Sequence, residues 1–157
     1  MKNKTRIIGS IAVDVAAAVF ILFESFFVSQ QALRFDLTQL FMVFTLFPMI
    51  LSFVVPFVST LIYIKPIAIL SNYLFAVFLY FYNYYVIVEN FTSEVIKQIY
   101  INSGDGASAI TVSSSTDISN MISTAITILA LCSIGMFISK MIDVRRKKKA
   151  RSVPKTA

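Results

Sequence analysis

IIGSIAVDVAAAVFILFESFFV, residues 7 to 28, is the stretch on which the fold turns. As one helix, its roughly 22 residues reach about 33 Å, enough to cross about 30 Å of hydrocarbon. It carries two charges, Asp14 and Glu24, and is otherwise apolar on every side, so lipid is its natural solvent. Three more runs of the same character follow, at about 37 to 64, 67 to 88 and 121 to 142. The composition agrees. The chain has 157 residues, 57% hydrophobic and 14% charged, with a mean hydropathy of +0.79. A soluble domain of this size has too little interior to hide that much apolar side chain. The expected fold is therefore an all-α membrane protein. Its four transmembrane helices pack as an antiparallel bundle (1–143), and a basic tail follows over 144–157.

The second run is about 28 residues, longer than the bilayer needs, and must tilt, kink or project. Pro48 and Pro56 lie within it. Each removes a backbone donor and frees a carbonyl one turn earlier, so kinks are expected there, with neighbouring helices supplying the missing hydrogen bonds. The turn around Lys65 and Pro66 is tight, which makes the second and third runs neighbours.

Orientation follows from the cations. With both termini cytoplasmic, all of the 14 Lys and Arg residues except Arg34 and Lys97 fall inside, as the positive-inside bias requires of an even number of spans. A cleaved leader over 1–28 is the competing reading. Asp14 and Glu24 inside the apolar run, and the lack of a small-x-small site in VSQQALR, argue against it. The remaining outer loop, 89–120, opens with SEVIKQIYI, where Val95, Ile96, Ile99 and Tyr100 share a helical face. A short helix on the membrane surface is expected, with a short strand as the alternative. The Gly- and Ser-rich stretch that follows reads as irregular, with Thr116, Asp117 and Ser119 available to cap the last span.

The absences narrow the chemistry. There is no His and a single cysteine, Cys132, so imidazole ligation, Ser-His-Asp and Cys-His catalysis and an internal disulfide are all excluded. No cofactor, metal site or enzymatic activity is expected.

Asp14 is the sharpest feature. An ionised carboxylate that deep in a span costs at least ~2.5 kcal/mol. It therefore faces protein or water, is paired, or is protonated. Ser10, Asp14, Ala17, Ala18, Ile21 and Ser25 form one stripe of the helix, whose small residues suit close packing. Lys140 is the candidate ionic partner, although its long stem also lets it snorkel. Glu24 lies about 15 Å farther along the axis, near the outer edge, where Arg34 is its candidate partner. In the third run, Asn72, Ala76, Leu79 and Asn83 recur at helical spacing, a seam with two amides. In the fourth, Ala130, Gly135 and Ser139 are the helix-packing candidates. Arg145, Arg146, Lys147, Lys148 and Lys149 form a basic run suited to anionic headgroups, and no aromatic is interleaved to suggest nucleic acid.

Together these features point to a non-catalytic integral subunit of the cell (plasma) membrane, packed against other membrane proteins or against itself. The alternative is a small oligomeric proton or cation transporter that uses Asp14 and Glu24.

Overall fold

The computed structural model describes residues 2–104 and 118–152, and its regular structure is helical throughout. The helices are α1 (Lys2–Gln31), α2 (Leu37–Phe41), α3 (Phe47–Ile62), α4 (Pro66–Asn90), α5 (Ser93–Ser103) and α6 (Ile118–Ser152). A short 3-10 turn, Ala32–Arg34, follows α1, and a π-helical turn, Met42–Leu46, joins α2 to α3. Four segments are long and apolar enough to cross a membrane: Lys4–Arg34, Leu37–Ile62, Pro66–Ile87 and Ile118–Lys148. This is the pattern of a multi-pass membrane protein.

Local chemistry sets the boundaries. Asp36 caps α2 reciprocally: its carboxylate accepts the Gln39 N–H at 2.7 Å, and its own N–H donates to Gln39 Oε1 at 3.2 Å. Pro66 opens α4 at the first-turn position, where a missing N–H does no harm, behind an extended Lys65. Gly104 ends α5 at φ 62°, a backbone conformation that favours glycine. The fourth helix runs farther than the expected span of 121–142. The residues expected to be a free tail continue it to Ser152, because Arg, Lys and Ala are good helix formers and Lys147 pairs with Asp143 one turn back. The stretch 105–117 lies outside the described residues, and with it the capping expectation for Thr116 and Asp117.

The core is built in tiers. At the end of the bundle near the α1–α2 turn, Val28, Phe35, Leu37, Val86 and Ile99 cluster. Farther along, Ile21, Val55, Phe75 and Leu79 join α1, α3 and α4. Ala76, Ile128, Cys132 and Met136 seal α4 against α6. The most extensive pairing is α3 with α6, where Gly135 lies directly on the α3 backbone; a Cβ built there would sit 2.5 Å from the Phe53 carbonyl oxygen. Phe23, Phe26, Leu74, Ile126 and Phe137 point outward, as lipid-facing side chains do.

The segment that allowed a helix or a strand is helical. Thr92 caps α5 by accepting the Val95 N–H, Glu94 lies in the first turn, and Ile99 is buried. The far end of α5 holds the α1–α2 turn. Asn102 Nδ2 donates to the carbonyls of Leu33 and Phe35 at 3.0 and 2.9 Å, and Ser103 Oγ accepts the Leu37 N–H at 2.9 Å. The apolar face of α5 is thus turned onto its own chain.

Candidate functional site

The polar residues of the spanning helices collect in two places. The larger lies toward the α3–α4 turn. Here α1 brings Ser10 and Asp14, α3 brings Ser59 and Thr60, α4 brings Ser71 and Asn72, and α6 brings Cys132 and Ser139. Each sits where the helical period turns its face inward, and all but half-buried Ser71 are buried. Asp14 is 4% exposed and accepts the Ser71 hydroxyl on Oδ2 at 2.5 Å. Ser10 and Ser59 join their hydroxyls at 2.8 Å, and Ser59 also reaches the Ser10 carbonyl. Asn72 Nδ2 donates to Thr60 Oγ1 at 3.1 Å, and the Cys132 thiol leans on the Asn72 carbonyl at 3.7 Å. Among the described residues, three buried side-chain atoms have no hydrogen-bond partner: Asp14 Oδ1, Asn72 Oδ1 and Ser139 Oγ.

The expected ionic partner is not there. Lys140 is exposed and bonds to no carboxylate; the ion pair among the described residues is Lys147 with Asp143. A lysine stem is long enough to keep its ammonium in water rather than bring it to a buried acid, and Asp14 is held by hydroxyls instead. The stripe from Ser10 to Ser25 does face inward. Ala17 and Ala18 pack against the Ile21 tier, so Asp14 joins helices of its own chain.

The second polar place is centred on the π-helical turn. Pro48 has no N–H to give the Phe44 carbonyl four residues earlier, and Asn83 Nδ2 of α4 fills that vacancy at 3.2 Å. Glu24 is half-buried beside it, in a narrow recess lined by Ser25, Phe44, Pro48, Tyr82 and Asn83. It makes no ion pair with Arg34, which is exposed in the 3-10 turn beyond the end of α1, ten residues or about 15 Å of helix away.

The two faces of α6 differ. Gly135 and Ser139 are buried against the bundle, whereas Ala130 is exposed and lies on the opposite face with Ser123; Thr124 is exposed as well, but about 120° round the helix from Ala130. Among the packing candidates, Ala130 therefore packs on nothing within the chain, because the α6 face turned to α3 and α4 is the one bearing Ile128, Cys132 and Met136. Alongside lies a groove between α4 and α6, lined by Tyr80, Asn83, Tyr84, Asn120, Met121 and Thr124. At the other end of α6, Phe137, Lys140, Met141, Val144 and Arg145 form an apolar face edged by two cations. Arg145, Arg146, Lys147 and Lys148 are exposed; the side chain of Lys149 lies outside the described set.

Sequence reasoning missed Ser59, Thr60 and Ser71 as partners of the buried polar groups. The signal available was their position: each stands within two turns of the Lys65–Pro66 corner, which folds α4 back beside α3. No cluster of three or more His, Cys, Asp or Glu side chains suited to a metal occurs among the described residues. The chain matches no protein-family model, no curated protein and no solved structure.

Proposed function

We propose that this chain is a non-catalytic integral membrane subunit that offers the outer face of α6 and the α4–α6 groove to another membrane-spanning helix. In this reading the four helices form an antiparallel bundle in the plasma membrane. Both termini are cytoplasmic, and the α3–α4 turn lies on the same side. The observation that carries it is the exposure of Ser123 and Ala130 on the outer face of α6, together with that of Thr124 in a groove edged by tyrosines and amides. Hydroxyls and small residues suit close helix contact, and they gain little from bare lipid. The partner is a second copy or a different membrane protein, and the basic end of α6 rests on anionic headgroups.

In this reading Asp14 is a contact within the chain, because its carboxylate is buried and accepts the Ser71 hydroxyl of α4. The alternative, flux through Asp14 and Glu24, has less support. None of the recesses described above reaches Asp14, and the two acids lie in separate polar places.

The test is extraction of the tagged chain from its native membrane in mild detergent, followed by native mass measurement of the particle. Stoichiometric co-purification with other membrane proteins, or a closed homo-oligomer, is the expected outcome. Ala130→Leu, which fills the contact without touching the bundle, should weaken that association. A particle holding one copy of this chain and nothing else overturns the proposal.

A further inference from the structure

The hydrogen bonds around Asp14 leave more acceptors than donors: of the three orphaned buried atoms among the described residues, two are acceptor oxygens and the third is the Ser139 hydroxyl of α6. Asp14 Oδ1 and Asn72 Oδ1 are acceptors without a donor: Ser71 serves Asp14 Oδ2, Asn72 Nδ2 serves Thr60, and the Ser59 hydroxyl, which stands close to the carboxylate, is turned to the Ser10 carbonyl. Asp14 is 4% exposed and Asn72 is 0% exposed, so bulk water does not make up the difference. Among the described residues no cation does so either. Around the carboxylate stand Ser59 of α3, Ser71 of α4, Ser10 of its own helix bonded to Ser59 and, farther off, the titratable Cys132 thiol of α6. Lys65 and Lys140, the cations of α4 and α6 toward this end, are exposed and bonded to no acid.

We propose that Asp14 is a proton-binding site in the interior of the bundle, holding its proton on Oδ1 at neutral pH. The proton makes the carboxyl neutral, as burial without a counter-ion demands, and turns an orphaned acceptor into a donor among oxygens that lack one. A metal cation is the less fitting occupant. It needs several convergent oxygens and room of its own, and the hydroxyls nearest the carboxylate are already bonded to one another and to backbone. This inference is independent of the subunit proposal, which stands or falls on association.

The test is infrared spectroscopy of the full-length chain in bilayers, with aspartate carrying carbon-13 at the side-chain carboxyl. The expected result is a label-shifted protonated-carboxyl band at neutral pH. It should persist when water-exposed aspartates are fully ionised, vanish in Asp14→Asn and survive in Glu24→Gln. The labelled wild type answers alone if Asp14→Asn fails to fold, because glutamate is silent to the label and water-exposed aspartates are ionised at that pH. Finding every labelled aspartate ionised at neutral pH overturns the proposal. A carboxylate band that then moves on addition of sodium chloride would assign the place to a metal cation instead.

Discussion

A methyl group on Gly135 would meet the backbone of α3 rather than a side chain. Its neighbours there are the Phe53 carbonyl oxygen at 2.5 Å and the Phe57 nitrogen at 3.4 Å, and neither can turn aside. Gly135→Ala should therefore destabilise the bundle by about 1–3 kcal/mol, the range for overpacking a close contact, read as a lower melting temperature in detergent. Gly9→Ala is the matched control. Its Cβ meets only Ile62 Cγ2 at 3.5 Å, and alanine's helix propensity favours it by up to about 1 kcal/mol. Asn83 offers a second test. Asn83→Leu strips the Phe44 carbonyl of its donor and should reduce stability by roughly 1–2 kcal/mol. In a Pro48→Ala background the restored N–H can serve that carbonyl, so a double-mutant cycle should show the loss shrinking. At this scale the sequence was half legible. The Asp14 stripe and the Asn72 seam could be read from spacing, since period alone decides which residues share a face. Their partners could not, because a search for opposite charge leads to Lys140, whereas a short hydroxyl such as that of Ser71 reaches a buried acid without bringing a second charge out of water.

Among the elements, α5 shows how a connection becomes part of the fold. Asn102 and Ser103 hold three backbone groups of the α1–α2 turn, a place where the chain has left one helix and not yet entered the next. Replacing both by Ala should free α5 while sparing the bundle. Hydrogen exchange and protease cleavage over residues 93–103 should accelerate at least several-fold, with little change in the melting of α3, α4 and α6. The spans themselves could be read to within a few residues, because hydropathy and length decide them. The continuation of α6 past its apolar stretch could not, since membrane periodicity stops where the charges begin while helix propensity does not. The capping pair Asp36 and Gln39 carried a readable D-x-x-Q signature. The π-helical turn beside Pro48 had no comparable sign beyond the proline itself.

For the whole molecule, the distribution of cations carries the proposed orientation. Replacing Arg145, Arg146, Lys147, Lys148 and Lys149 with Gln removes most of the positive charge after the last span. A minority of chains should then expose the C-terminus on the opposite face, detected by a membrane-impermeant label on a C-terminal cysteine in a Cys132→Ser background. The wild type should label from the cytoplasmic face alone. The four-helix architecture was legible because bilayer thickness fixes the length of each span. The rotation of each helix was not, and it is this rotation that buries Gly135 and leaves Ala130 outside.

The bond from Ser71 to Asp14 spans 57 residues of chain, and this separation bears on how the protein is made. When α1 leaves the ribosome and is offered to lipid, the hydroxyl that will cover its acid has not yet been synthesised. The first helix is therefore expected to linger, in the insertion machinery or in contact with it, until α4 emerges. A nascent chain arrested before Ser71 should crosslink to that machinery through α1, and one arrested well after Asn90 should have let go.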